Sequence, residues 1–218
     1  MEKVYVWDRF VRCFHWTLVV LFCTSYLTGD EIEWLHVYSG YGIALLILAR
    51  TLWGFIGSTH ARFKDFLYSP LSAVDYLKSL ASGNPRHYLG HNPAGAMMVF
   101  ALLIGLFLTT LSGMKLYAVE EGKGPLAQDI QLELASTAYA DSDDDDDDHD
   151  EEHERRGYGG HDDEEDEEFW EEIHEFAVNF MLFLVILHIL GVIISSRAHG
   201  ELLVKAMITG YTERRDNP

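Results

Sequence analysis

The chain has 218 residues, of which 48% are hydrophobic, and it carries a formal net charge of −19 at pH 7. A mean hydropathy of −0.02 is typical of a soluble protein, but that average misleads because the apolar residues fall into a few long runs. Residues 119–172 hold 24 of the 35 acidic residues and only three basic ones, so the remaining 13 basic and 11 acidic residues leave the rest of the chain nearly neutral.

Four apolar runs are long enough to cross a bilayer as helices. These helices are predicted over residues 11–28, 36–57, 94–118 and 172–195. The only two cysteines lie in the first run and form neither a CxxC motif nor a CxxCH haem attachment site. The third run follows Asn92 and Pro93, an N-cap with proline at the first helical position. A shorter helix, lying in the membrane interface, is predicted over residues 71–80, where apolar side chains recur at helical spacing.

The distribution of Lys and Arg predicts the orientation of the helices. Basic residues lie before the first helix, between the second and third, and after the fourth, whereas residues 29–34 and 120–168 are acidic. Both termini are therefore predicted to be cytoplasmic, and the 120–168 loop is predicted to lie on the outer face. This loop is a low-complexity segment rich in Asp and Glu, and it has no apolar face to bury. It is therefore predicted to be flexible.

Four of the eleven histidines lie in or at the mouth of a predicted membrane helix, where ionisable groups are usually functional. They are His15, His36, His174 and His188. His15 and His188 lie near the cytoplasmic face, and His36 and His174 lie near the outer face. His174 and His188 are two heptads apart, so their side chains project only ~40° apart on the helix, with an axial separation of ~21 Å. Two imidazoles near each face suit two haems, since haem iron takes an axial ligand on each side.

Other roles for these histidines remain open. A single membrane histidine can form an interhelical hydrogen bond or relay protons. Structural zinc usually takes four ligands at one depth, whereas each layer here has two. A haem-free membrane protein that handles metal ions is a further alternative, with the acidic loop as ion collector. Such a path would need polar groups through the midplane, where the helices are apolar.

Four segments resemble the bacterial di-haem cytochrome b superfamily, which includes the cytochrome b subunits of membrane-bound nickel-iron hydrogenases, cytochrome b561 and the gamma subunits of formate dehydrogenases. The segments are VWDRFVRCFHW at 6–16, HVYSGYGIALLILARTLWGFIGSTHARF at 36–63, GHNPAGA at 90–96 and IHEFAVNFMLFLVILHILGVIISSRAHGELLVKAMITG at 173–210. The resemblance implies an all-α, integral membrane four-helix bundle in the lipid of the bacterial inner membrane, with an acidic extramembrane loop between its third and fourth helices.

The resemblance also implies two non-covalent b-type haems. His15 and His188 would be the axial ligands of the cytoplasmic-side haem iron, and His36 and His174 those of the outer haem iron. The implied function is respiratory electron transport between the quinone pool, near the cytoplasmic-side haem, and a periplasmic redox partner. Because a strongly negative outer face steers cationic partners, a basic c-type cytochrome, such as a small di-haem one, is expected, and nucleic acid is not.

Further residues near the cytoplasmic face are candidates for cofactor contacts. Four arginines are candidates to hold haem propionates, although positive-inside anchoring competes; they are Arg9, Arg12, Arg50 and Arg197. Three residues resemble a quinone-adjacent turn of the formate dehydrogenase relatives, although capping and loop roles compete; they are His91, Asn92 and Gly95. His199 is a candidate to bind a quinone oxygen or shuttle its proton. His60 and His87 are expected to be solvated loop residues.

Two other functions within the superfamily stay open. A cytochrome b subunit of a hydrogenase or another dehydrogenase would use the same four histidines. A superoxide:quinone oxidoreductase would need a positive outer funnel to attract an anion, and the acidic loop has the opposite sign. The direction of electron flow is also open, because ligand identity alone fixes no potential.

Overall fold

The computed structural model describes residues 2–29, 31–83, 86–127 and 162–214. The helices in these ranges are α1 (Arg9–Thr28), α2 (Glu33–Ile56), α3 (Pro70–Ala81), α4 (Pro93–Glu121), α5 (Asp162–His199) and α6 (Leu203–Thr209), with a 3₁₀ turn at Phe63–Asp65. Four helices are long and apolar enough to cross a membrane: α1, α2, α4 and the Glu165–His199 part of α5. This confirms the predicted all-α membrane fold class.

The helix ends follow local chemistry. The Ser69 side chain accepts a hydrogen bond from the Ser72 backbone and Pro70 occupies the first turn of α3. The short helix predicted over residues 71–80 is therefore present. Helix α5 begins at Asp162 instead of residue 172, because an acidic stretch is favoured at the positive end of the helix dipole. The last acidic residues before 172 are therefore helical, whereas residues 128–161 of the predicted flexible loop lie outside the described residues.

The contacts divide the chain into two compact units, residues 1–107 with 180–218, and residues 108–179. In the first unit, all four long helices share one apolar core. Its members are Ile43 and Ile47 of α2, Leu106 of α4, and Met181 and Leu184 of α5, with Leu18, Leu21 and Phe22 of α1 packed against them. Other apolar side chains on these helices are mostly exposed, such as Leu27 at 73% and Ile56 at 78%, which suits helix faces in contact with lipid.

A two-stranded sheet joins the two ends of the chain. Strand β1 (Glu2–Tyr5) pairs antiparallel with β2 (Tyr211–Arg214), and Tyr5 lies opposite Tyr211. The strands meet at Gly210, whose φ is 89° and whose carbonyl accepts from the Val6 and Trp7 backbones. A side chain at Gly210 would also collide with the Tyr5 ring, so only glycine suits this turn. This sheet was not predicted from the sequence.

Asp8 joins the start of α1 to the end of α2. Its carboxylate accepts from the Val11 backbone at 2.8 Å, from Trp53 Nε1 at 3.0 Å and from the Ser58 hydroxyl. Burial alone would raise the pKa of Asp8, but these hydrogen bonds, with the charge of Arg50, lower it below the ordinary value of 3.8. The ionised carboxylate is thus the form that the fold holds.

Replacing Asp8 by alanine is expected to cost about 2–4 kcal/mol of stability, since α1 loses its cap and two partly buried donors lose their acceptor. In the unchanged chain, the contribution of Asp8 is complete above the ordinary pKa of 3.8 and is lost as the pH falls through the lower folded value. Thermal unfolding in detergent at neutral and acidic pH measures both effects. An Asp8→Ala variant as stable as wild type at neutral pH would contradict this role.

Candidate functional site

His15 and His188 face each other within the first unit. Their ring centroids are 6.4 Å apart and their planes are inclined by 54°. A metal–imidazole nitrogen bond is ~2 Å long, so the gap between the rings has room for one metal ion bound by both. The Nδ1 of His15 is buried and makes no hydrogen bond to any described residue, which is costly for a polar atom. The pair therefore fits two axial ligands of one haem iron.

His36, also in the first unit, is oriented by the end of α1. Its Nδ1 lies 2.9 Å from the Ser25 carbonyl oxygen and 3.3 Å from the Ser25 hydroxyl. A carbonyl oxygen only accepts, so Nδ1 carries the proton and the lone pair lies on Nε2. This is the tautomer that a metal-bound histidine adopts when its other nitrogen is held by the protein.

His174, in the second unit, is oriented in the same way by α4. Its Nδ1 lies 3.0 Å from the Ser112 hydroxyl, which donates its own proton to the Thr109 carbonyl at 3.0 Å. Ser112 must then accept from His174, which again leaves the lone pair on Nε2. A side chain at Gly113 would start 2.8 Å from the His174 ring, so this glycine leaves the space that the imidazole occupies.

Arg50 is buried in the C-terminal part of α2, and one of its hydrogen-bond donors has no partner among the described residues. Its side chain is 3% exposed, its Nη2 donates to the Ala61 carbonyl at 3.1 Å, and its guanidinium lies 5.1 Å from the Phe63 ring centroid. Its Nη1 is buried and has no hydrogen-bond partner among the described residues. Arg50 thus suits a buried acceptor such as a carboxylate.

Of the other three arginines predicted to face propionates, Arg12 also has a buried nitrogen, Nε, without a hydrogen-bond partner among the described residues. Arg12 donates through Nη1 to the Ile208 carbonyl at 2.6 Å, near the carboxyl end of α6, where a positive charge is favoured. Arg9 and Arg197 have exposed side chains. Arg12 therefore has a structural contact whether or not it also meets a cofactor.

The predicted quinone-adjacent turn forms the start of α4. Asn92 caps this helix, since its Oδ1 accepts from the Gly95 backbone at 2.7 Å. His91 packs edge-on against Trp7 and lies 4.3 Å from the Phe66 ring. Burial first, and then the positive charges of Arg50 and His60, lower the pKa of His91 to about 3. His91 is therefore neutral at physiological pH.

His199 belongs to a different cluster from His91. Its Nε2 lies 3.1 Å from the Tyr76 hydroxyl, and its ring lies 5.7 Å from that of His87. The Nε2 of His87 is 2.6 Å from the Glu201 carboxylate. The expectation that His87 is simply solvated is therefore wrong, because the turn after α5 brings Glu201 to it. Ser112 and Tyr76 were likewise not predicted from the sequence to be partners of histidines.

Within the described ranges, no group of three or more His, Cys, Asp or Glu side chains is placed to hold a metal ion. The membrane histidines instead lie as one facing pair, His15 and His188, and as two separate side chains, His36 and His174. A haem iron takes two axial ligands, whereas a structural zinc ion usually takes four. A metal site in residues 128–161 of the acidic loop lies outside the described residues.

Comparison with known proteins assigns the chain to a family. Residues 6–210 match the family described as prokaryotic cytochrome b561. The "Probable Ni/Fe-hydrogenase B-type cytochrome subunit" of Azotobacter chroococcum mcd 1 is 29% identical over 154 residues, which cover 57% of this chain and 63% of that relative. A protein of the same name from Azotobacter vinelandii is 29% identical, and the match covers 56% of this chain and 61% of that relative. Another from Bradyrhizobium diazoefficiens is 28% identical, and the match covers 56% of this chain and 60% of that relative.

The chain therefore spans less than two thirds of the length of these curated relatives. No solved structure matches it. The family match, however, includes all four membrane-spanning helices and the four histidines singled out above. The chain belongs to the prokaryotic cytochrome b561 family and is a multi-pass membrane cytochrome of the b type.

Proposed function

We propose that this chain holds two b-type haems and passes electrons between a quinone and a redox partner on the outer face of the bacterial inner membrane. The observation that carries the proposal is the His15–His188 pair, with its 6.4 Å ring separation and the unpartnered Nδ1 of His15. His36 and His174 would hold the second haem, each with its Nδ1 fixed by the protein. When bound, the haems supply the one-electron chemistry.

We place the quinone on the side of the His15–His188 pair, which is proposed to be the cytoplasmic side. Arg50 would meet a haem propionate through its unpartnered Nη1, and Arg9, Arg12 and Arg197 would complete the positive face. His199 would either contact the quinone or shuttle its proton, since the Tyr76 hydroxyl lies 3.1 Å from its Nε2 and can exchange a proton with it. Asn92 and Gly95 are weaker candidates, because they form a helix cap. His91 is packed among aromatic rings but keeps a buried Nδ1 without a hydrogen-bond partner among the described residues.

Two kinds of outer partner have support. The relatives named above are hydrogenase cytochrome subunits, which favours a nickel-iron hydrogenase. The 24 acidic residues between positions 119 and 172 favour a basic c-type cytochrome. Reduction of a basic c-type cytochrome that slows steeply as salt is raised supports the second partner. Reduction of the haems only by added hydrogenase and hydrogen supports the first.

The proposed function is tested on the purified chain produced with ample haem. Visible spectra of the oxidised and dithionite-reduced protein are expected to show b-type haem at about two per chain. Reduced haem is then expected to be oxidised by a short-chain quinone analogue. Protein that folds with ample haem supplied but binds none would overturn electron transfer and favour a metal-handling function.

Replacing Ser112 by alanine is expected to weaken haem binding at the outer site, since His174 loses the acceptor that fixes its tautomer. Such outer-sphere changes typically cost 10- to 100-fold in metal affinity. Haem retention during dilution and the midpoint potential of the outer haem measure the effect, and Ser82→Ala, at an exposed serine, is the matched control. Equal haem retention in the two variants would remove this role from Ser112.

A further inference from the structure

A line of titratable side chains connects α3, the loop before α4, and the turn after α5. The Tyr76 hydroxyl meets His199 at 3.1 Å, and the His199 ring meets the His87 ring at a centroid distance of 5.7 Å. His87 is 2.6 Å from one oxygen of Glu201, and the other oxygen accepts from Thr212 of β2 at 3.3 Å. Four groups that can each accept and release a proton thus follow one another in space.

The His87–Glu201 end of this line is more exposed than its Tyr76 end. The His87 and Glu201 side chains are 21% and 11% exposed, whereas Tyr76 is only 2% exposed. Tyr76 also hydrogen-bonds Ser195, which is 7% exposed. Ser195 is one heptad from His188, so it lies ~10 Å along the same side of α5. The line therefore runs from water towards the helix face that carries the His15–His188 pair.

Tyr76, at the inner end of the line, is held in its neutral, protonated form. Burial first, and then the neighbouring Tyr88 and Glu201, raise the pKa of Tyr76 above its ordinary value of 10.0, despite the hydrogen bond with Ser195. Among the described residues, Tyr88 from the loop before α4 and Thr212 from β2 face the line. A neutral phenol held between an imidazole and a hydroxyl can give up one proton while it receives another.

We propose that Glu201, His87, His199 and Tyr76 form a proton relay between water at this face and a quinone bound beside the His15–His188 haem. The relay rests on the proposed function. In the direction of reduction, the quinone takes two electrons, one at a time, from that haem and two protons from water, giving a quinol. Each proton enters at the His87–Glu201 pair and would pass to His199 through one bridging water, because the two histidine rings are in edge-to-face contact with their centroids 5.7 Å apart. Tyr76 then releases its hydroxyl proton to the quinone oxygen and is reprotonated by His199. Quinol oxidation runs the same steps backwards.

A purely structural explanation makes different predictions. If these contacts only tie α3 to α5, removing one should lower stability and slow every electron transfer alike. If they carry protons, removing one should slow only the reaction that consumes protons. The two cases can therefore be separated on the folded, haem-loaded chain.

The experiment follows oxidation of pre-reduced haem by a short-chain ubiquinone analogue in a stopped-flow instrument, from acidic to alkaline pH. The variants are Glu201→Gln and His87→Gln, and the matched control is Asp75→Asn, at an exposed acid on α3. Above neutral pH, both relay variants are expected to react at least about tenfold more slowly than wild type, and added imidazole is expected to restore part of the rate. Oxidation by ferricyanide, which takes no proton, is expected to stay within about twofold in all of the proteins.

Each outcome decides one point. Wild-type haem that a quinone cannot oxidise overturns the proposed function and the relay with it. A wild-type rate and pH profile in Glu201→Gln overturns the relay alone, and so does equal slowing with ferricyanide. Infrared difference spectra add a readout independent of turnover, with a carboxyl band expected on quinone reduction in wild type and lost in Glu201→Gln. A wild-type spectrum without that band also overturns the relay.

Discussion

Replacing His188 by alanine is expected to lower the haem content of the purified chain from about two per polypeptide to about one. The alanine leaves His15 facing a gap, because the two rings lie only 6.4 Å apart and no other ligand is placed between them by the described residues. A haem whose iron keeps only one imidazole ligand is expected to dissociate from the protein during purification. The pyridine haemochrome spectrum of the purified variant, normalised to protein, measures the loss.

Combined substitutions test the pairing as well as the ligands. Substitutions at two ligands of one haem are expected to be non-additive, so His15→Ala, His188→Ala and the double variant should each retain about one haem. Adding His174→Ala to His188→Ala should remove both haems. His60→Ala is the histidine control and should retain the wild-type content. A His188→Ala chain with undiminished haem would contradict the assignment, and additive loss from His15 and His188 would contradict the pairing.

The features that sequence predicts well are those with a local signal. A long apolar run predicts each membrane helix. The observed α1, α2 and α4 begin and end within a few residues of the predicted bounds. The histidines are conspicuous for the same reason, since a polar ring in such a run is costly and rarely incidental. The His15–His188 contact follows from depth, because His15 near the start of α1 and His188 near the end of α5 are both predicted to lie near the cytoplasmic face.

The features that sequence fails to predict depend on partners far apart in the chain. Strands β1 and β2 are short, lie at opposite ends of the chain, and carry too few residues for a clear alternation. Ser112 is one serine in an apolar helix, and only the structure shows that its hydroxyl holds His174. Glu201 follows α5 as an ordinary acidic turn residue, and its contact with His87 could not be inferred from spacing.

A valine at Gly113 is expected to remove the outer haem as effectively as loss of a ligand, although Gly113 binds nothing itself. A Cβ at this position would lie 2.8 Å from one ring carbon of His174 and 3.2 Å from Nδ1, so a branched side chain must displace the imidazole. The displaced ring also loses its hydrogen bond to Ser112. We expect about one haem per chain and a stability cost of about 1–3 kcal/mol from overpacking.

Gly113→Val distinguishes a rigid outer site from an adaptable one. Leu111→Val, at an exposed residue two positions before Gly113 on α4, should leave haem content and thermal stability near wild type. A loss confined to Gly113→Val therefore reports the space around His174. The retained haem should keep the spectrum of the His174→Ala variant, because both changes would empty the same site. Full haem content in Gly113→Val would mean that the imidazole can move and still bind, and His174 would then not need the orientation set by Ser112.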